Sequence, residues 1–283
     1  MIKLFAIDMD GTLLNSNSDI SEKNIEAMKE LNQAGIKTVL TSGRVSSSVD
    51  YFNEKIGIDN PMVANNGAVI KLSKDEVLAT HPLDDDELIN LLEFCDENEF
   101  SFNFYDANTF YTNRLILERL NHLKIDSNYG MNYQCDIYVS SNPYKELKRR
   151  KHMANKMLIS GLDSHPYGQE KAVKIIEDRF LNELYVTSSG FGFIEIMHKN
   201  VDKWSSILEL AEFLGINSNE IAAIGDSNND LPMIENSKIS FAMRNANESV
   251  KKAARHEVLD NDSDGFINAK DIIINYNKEN PSV

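Results

Sequence analysis

Ile2-Lys3-Leu4-Phe5-Ala6-Ile7-Asp8-Met9-Asp10-Gly11-Thr12 opens on a nearly unbroken apolar run, then breaks into two carboxylates and a glycine turn. An apolar run without polar alternation is the pattern of a strand buried on both faces of a parallel sheet. The same grammar continues outward. Ile25, Met28 and Leu31 recur at helical spacing, Gly35 stands where a helix would end, and residues 36–40 form a second buried run. Strand, helix and strand in this order make a βαβ unit, and residues 61–64 add a third strand before Asn65-Asn66-Gly67.

The last third repeats the pattern. Ile207, Leu208, Ala211 and Leu214 mark a helix closed by Gly215, and residues 221–224 read as a strand. Residues 239–243 and 256–259 read as further strands with a helical stretch near 247–254 between them, and a final helix is expected over 267–276. The middle differs. Phe100, Phe102 and Phe104 alternate with polar residues, and residues 171–180 carry a helical pattern. The reading is an α/β fold: a Rossmann-like parallel-sheet core of residues 1–82 and 194–283, with an α+β cap of residues 83–193 inserted after the third strand. The three phenylalanines are expected in the cap's core. Ser101, Asn103 and Tyr105, on the opposite face, are placed to roof the active site.

Composition narrows the function. A net charge of −15 lacks the basic footprint of a nucleic-acid binder and disfavours an anionic membrane surface. Any anionic ligand must therefore meet concentrated positive charge locally. With 42% hydrophobic and 26% charged residues the chain reads as soluble and globular, and its apolar runs fall short of the ~20 residues of a membrane span. No secretory pattern is read, and Cys95 and Cys135 form no C-x-x-C pair. The expectation is a cytoplasmic protein, a monomer or weak homodimer, whose partner is a small molecule.

Four clusters fall where an open α/β sheet places its ligands, at the carboxyl ends of parallel strands. They are Asp8-Met9-Asp10-Gly11-Thr12; Ser42-Gly43-Arg44; Lys203 at the start of a helix; and Gly225-Asp226-Ser227-Asn228-Asn229-Asp230. Asp8 is suited to attack a phosphoryl group and split a hard step in two. Its repulsion from that group costs about 4 kcal/mol per unit-charge pair at ~4 Å and an effective dielectric of ~20. A Mg²⁺ ion held by Asp8, Asp226 and the Asp10 backbone carbonyl offsets this. The Asp10 side chain is then free for proton transfer, and Ser42 and Lys203 for the equatorial oxygens of the phosphoryl group.

The pattern resembles the haloacid dehalogenase superfamily of phosphatases, specifically its Cof-like branch with a large α/β cap of the C2 type. The matching segments are DMDGT at 8–12, TSGR at 41–44, NNGA at 65–68, Lys203 in VDKW, GDSNND at 225–230, AMRNA at 242–246 and DNDSDGF at 260–266. They run through both halves of the core in the family's order and spacing. The resemblance implies Asp8 as nucleophile and metal ligand, Asp10 as acid/base and metal ligand, and Asp226 as the third protein ligand. It further implies phosphate or substrate contacts from Ser42, Gly43, Lys203 and Asn229, with Asp230 in support and Mg²⁺ as cofactor. The implied substrates are sugar phosphates or phosphorylated cofactors such as flavin mononucleotide or pyridoxal phosphate. Trp204 and Arg244 stand where such chains generally have glycine. The indole is expected either to shape the pocket or to pack between helix and sheet.

Rival readings are a phosphotransferase or phosphomutase, in which a sugar hydroxyl replaces water, and a regulatory protein that keeps the fold without catalysis. Residues 260–271 resemble the twelve-residue EF-hand loop, but Asp271 replaces the bidentate glutamate and a strand replaces the entering helix. Arg44 is assigned at most a structural pairing with a core carboxylate, and Asn66-Gly67 a tight turn.

Overall fold

The computed structural model describes residues 1–116, 120, 124–125, 132–188 and 192–281. In chain order they form β1 (Leu4–Asp8), α1 (Glu22–Gln33), β2 (Lys37–Thr41), α2 (Ser46–Ile56), β3 (Met62–Ala64), β4 (Val69–Ser73) and β5 (Glu76–Thr80). There follow α3 (Asp85–Glu97), β6 (Ser101–Tyr105), β7 (Thr109–Thr112), β8 (Lys124–Ile125), β9 (Asn132–Tyr133) and β10 (Asp136–Val139). Next come α4 (Pro143–Arg149), β11 (Lys156–Ser160), α5 (Gln169–Phe180), β12 (Tyr185–Thr187) and β13 (Ile194–Met197). The chain ends with α6 (Lys203–Phe213), β14 (Ile221–Gly225), α7 (Leu231–Asn236), β15 (Ile239–Met243), α8 (Glu248–Ala253), β16 (His256–Val258) and α9 (Gly265–Glu279).

Two sheets organise these elements. The larger runs β16-β15-β14-β1-β2-β3-β4-β5, with parallel pairing from β16 to β3. Every residue of β1, β14 and β15 is buried, which is why their sequences are largely apolar instead of alternating. The helix α1 follows from Ser21, whose side chain accepts the Asn24 N–H, and from Gly35 in the left-handed region just past the last turn. Its Ile25, Met28 and Leu31 are buried as their spacing requires. At the chain's ends, the Asn277 carboxamide accepts from the Ile2 N–H and donates to the Ile2 carbonyl, tying α9 to the start of the first strand.

The smaller sheet runs β10-β7-β6-β11-β13-β12. One face, carrying Phe102, Phe104, Met157, Ile159 and Ile196, joins Leu88 and Leu91 of α3 and Ile176 and Phe180 of α5 in a separate apolar core. The other face looks toward the larger sheet, with Tyr105 and Leu158 packed in one cluster with Val45 of the core.

Three features depart from the sequence reading. The third strand is extended by an antiparallel hairpin, β4 and β5, before the chain crosses to the smaller sheet. The final helix begins at Gly265 and reaches Glu279. The division placed before residue 194 needs correction, because β13 pairs with β11 and β12 in the smaller sheet. A buried apolar strand does not announce which sheet it joins, so this boundary follows only from the pairing. Among the described residues, no helix is long and apolar enough to cross a membrane.

Phe5 stacks on Phe266 at a centroid distance of 5.9 Å and meets Phe241 edge-on at 6.0 Å, coupling the first strand to the last helix. Phe266→Ala is expected to cost about 3–5 kcal/mol of stability, read from urea denaturation. A loss below about 1 kcal/mol would show that α9 contributes little to the core.

Candidate active site

Because β14, β1 and β2 are adjacent and parallel, their carboxyl ends emerge side by side. Asp8 ends β1, Ser42 follows β2, and Asp226 follows β14. Lys203 is the first residue of α6, whose N-cap Asp202 accepts the Ser205 N–H in a reciprocal capping box. Asn229 and Asp230 lie in the short turn Asn228–Asp230. The fold therefore brings together residues more than two hundred positions apart.

At the centre is a buried charge cluster. The Lys203 ammonium, with no solvent exposure, donates to Asp8 Oδ1 and to Asp230 Oδ1, each at 2.6 Å. The second oxygen of Asp230 accepts the backbone N–H groups of Asp226 (2.9 Å) and Ser227 (3.0 Å). Asp230 is thus saturated by cation and backbone, and it fixes both the turn and the lysine. Asp226 accepts from the Thr12 hydroxyl at 3.1 Å and the Ser227 hydroxyl at 3.0 Å. Two glycines permit this crowding. A Cβ on Gly11, whose φ is +78°, would sit 2.6 Å from Asp226 Oδ2, and one on Gly225 would sit 2.6 Å from Asp230.

Carboxylate oxygens of Asp8, Asp226 and Asp230 lie within 4.8 Å of one another. Burial drives the Asp8 carboxyl well above its ordinary range; the Asp230 charge adds to the push and Lys203 opposes it. Burial, and then Asp230, lifts Asp226 to about 7. Burial alone would lower Lys203, but Asp230 and Asp8 more than offset it and hold the ammonium above its usual range. Three carboxylates against one ammonium leave excess negative charge in a dry site. An all-oxygen donor set short of positive charge fits a hard divalent cation such as Mg²⁺. With Asp230 occupied, Asp8 and Asp226 are the side chains best placed to hold it.

The remaining predicted residues surround this cluster. Asp10 is the more exposed aspartate, and Arg44 grips it at two points, Nε to Oδ2 at 2.7 Å and Nη2 to Oδ1 at 2.6 Å. Arg44 is itself buried and also donates to Gln134 of the cap. The Ser42 hydroxyl accepts the Arg44 N–H at 3.1 Å, leaving its own proton for a ligand. The Gly43 carbonyl accepts from Lys156 of the cap at 2.5 Å. Asn229 donates to Asn66 Oδ1 at 3.0 Å, so Asn66 is more than a turn former. Lys156 and Glu195 have no place in the sequence reading, which names Asn66 only within a tight turn. The usable signal was a lone charge in an apolar strand, as in Asn155-Lys156-Met157-Leu158 and Phe193-Ile194-Glu195-Ile196.

Other marked positions resolve differently. Trp204 packs against the apolar core of the larger sheet, and Arg244 is exposed. In the acidic segment, Asp262 accepts the Ser16 hydroxyl and N–H, Asp264 pairs with Lys23, and Asn261 donates to the Leu14 carbonyl. These bonds brace the loop that follows Asp8. Asn245 does the same, donating to the Gly11 carbonyl at 2.8 Å.

A carboxyl raised in the folded state binds more protons there than in the unfolded chain. Its cost to stability therefore grows as pH rises from about 4 through about 7 and is complete above that. Asp226→Asn removes this cost. In metal-free protein at pH 8 it should raise Tm by about 2–6 °C, the gain vanishing toward pH 4. Added Mg²⁺ should stabilise the parent more than the variant; scanning calorimetry with and without EDTA checks both.

Comparison with known proteins accords with this geometry. Residues 5–269 match the family model described as haloacid dehalogenase-like hydrolase. The phosphatase YwpJ of Bacillus subtilis is 28% identical over 93% of this chain and 97% of its own. The 5-amino-6-(5-phospho-D-ribitylamino)uracil phosphatase YwtE of the same organism is 28% identical over 93% and 95%. A solved haloacid dehalogenase-like hydrolase from B. subtilis superposes with a TM-score of 0.83 at 25% identity, covering 95% of this chain and 99% of that one. With the family's model running through nearly the whole chain, and with phosphatases as its relatives, this protein belongs to the haloacid dehalogenase-like hydrolases and is a phosphatase among them.

Proposed function

We propose that the protein is a Mg²⁺-dependent phosphomonoester hydrolase for small phosphorylated metabolites, working through an aspartyl-phosphate on Asp8. The observation that carries this reading is the Lys203 ammonium held between Asp8 and Asp230, with the Asp226 carboxylate alongside. A bound Mg²⁺ would supply positive charge that offsets the repulsion between the Asp8 carboxylate and an anionic substrate. The side chains of Asp8 and Asp226 and the Asp10 backbone carbonyl would hold it.

A free Asp8 oxygen attacks phosphorus, the bond to the leaving oxygen breaks, and Asp10 delivers a proton to that oxygen. Asp10 then takes a proton from water, which attacks the phosphoaspartate and releases inorganic phosphate. Because the Arg44 fork occupies both Asp10 oxygens, Asp10 must release at least one of these bonds to carry the proton. The Ser42 hydroxyl and Lys203 hold the equatorial oxygens on which charge sits in the transition state. Lys203 is also the concentrated positive charge that an acidic chain needs in order to bind an anion. YwtE acts on a phosphorylated ribityl compound, which supports a small-metabolite substrate here.

EDTA should abolish hydrolysis of p-nitrophenyl phosphate. Mg²⁺ should restore it better than Ca²⁺, whose looser, higher coordination disturbs the in-line geometry. Full activity in excess EDTA would reject the metal. Asp8→Asn should remove both turnover and acid-stable phosphoenzyme. Asp10→Asn should lower turnover of an alkyl phosphate by about 10²–10⁴-fold and of an aryl phosphate by less, because the aryl leaving group needs less protonation. Equal losses on the two substrates would remove Asp10 from the proton-transfer role.

A further inference from the structure

Several polar bonds between cap and core meet on one short stretch of the core, residues 43–48. The Lys156 ammonium donates to the Gly43 carbonyl at 2.5 Å. The Ser46 N–H donates to the Ala107 carbonyl at 3.0 Å, and the Ser46 hydroxyl to Asn108 Oδ1 at 2.9 Å. Asn108 in turn accepts the Asp136 N–H at its carbonyl, at 3.1 Å, which ties the segment around β10 to the docked turn. Two residues before Asp136, Gln134 reaches the same stretch and is 8% exposed there. Its Oε1 accepts from Arg44 Nη1 at 3.2 Å and from the Ser48 hydroxyl.

Arg44 therefore touches the cap and Asp10 at once, through opposite sides of one group. Its Nε and Nη2 hold the two Asp10 oxygens, and its Nη1 faces Gln134 and the Ser48 hydroxyl, the latter at 3.3 Å. The guanidinium is planar and rigid, so bonds on one side set the orientation of the other. The Phe52 ring, with its centroid 5.4 Å from Arg44 Cζ, limits the tilt of that plane. The two ends differ in freedom. The Arg44 side chain is 2% exposed, whereas the Asp10 side chain is 40% exposed. Asp10 has room to turn, and Arg44 has none.

This difference decides what happens when Asp10 gives up one of its bonds to carry a proton. A guanidinium anchored by Asp10 alone would turn with the carboxylate and keep both bonds. Anchored on its far side by Gln134 and Ser48, it stays in place while the carboxylate turns away. Gln134 is the part of that anchor that comes from the cap, and the amide oxygen can accept both hydrogens because it has two lone pairs. Resting on the reading of Asp10 as acid and base, we infer that Gln134 is a positioning residue: the docked cap uses it to anchor Arg44, so that Asp10 can leave the guanidinium fork and deliver its proton.

The test uses the full chain with Mg²⁺, p-nitrophenyl phosphate, and whichever of a panel of alkyl phosphates the parent hydrolyses fastest. Gln134→Met keeps the length of the side chain and loses the amide. It should lower kcat on the alkyl phosphate by about 10–100-fold, with KM within about twofold and kcat on the aryl phosphate within about threefold. Gln134→Glu, which keeps an acceptor for Arg44 and Ser48, should hold alkyl turnover within about threefold of the parent. In an Asp10→Asn background, Gln134→Met should cost less than about twofold more, because the group it serves is gone. If Gln134→Met folds poorly by circular dichroism, Ser48→Ala, which removes the other donor to Gln134, should show the same selective loss. Unchanged alkyl turnover in a folded Gln134→Met, equal losses on the two substrates, or the same loss with and without Asp10 would each overturn the inference and leave Asp10 in its role. Equal losses on the two substrates in Asp10→Asn itself would remove the reading of Asp10, and this inference with it.

Discussion

An ammonium with no access to water, clasped by two carboxylates, is the interaction on which this site depends. Removing Lys203 from solvent is costly, and the cost is met only because Asp8 and Asp230 both reach it at 2.6 Å. That requirement fixes much else. Asp230 must turn back under its own loop, which needs the bare backbone of Gly225. Asp226 is then brought against Gly11, and the loop after Asp8 must be braced from outside by Asn245, Asn261 and Asp262. The acidic segment near the carboxyl terminus is best understood as part of this bracing.

The cluster also explains the division of labour between two aspartates only two positions apart. Asp8 is buried and bound to the Lys203 ammonium, which holds its carboxylate in one place, as the proposed nucleophile requires. Asp10 is far more open, and a rigid guanidinium fork holds both of its oxygens. Neighbours in sequence acquire different chemistry because one lies at the strand end and the other in the turn beyond it.

Much of this was legible in the sequence, for identifiable reasons. Strands buried on both faces must be largely apolar, so β1, β14 and β15 stand out, and Asp8 and Asp226 are conspicuous as the charges that end two of them. Lys203 was legible only through the resemblance, since a lysine at a helix start is ordinarily exposed. What could not be read depends on pairing between distant segments. The grip of Arg44 on Asp10, the Asn229–Asn66 bond and the Lys156–Glu195 pair across two strands leave no local periodicity. Nor does the sheet membership of β13, whose Ile194-Glu195-Ile196-Met197 would suit either sheet.

The pairing of Leu4 with Ile221 has a consequence during synthesis on the ribosome. At about 5–20 residues per second, β1 waits roughly 10–40 s before its partner strand is made. Throughout that interval one edge of the apolar run from Leu4 to Ile7 lies open to other chains. The cap, by contrast, is a continuous stretch with its own apolar cluster and can close before the core is complete. Order of emergence therefore lets the cap mature first, while the larger sheet stays half built until β14 arrives.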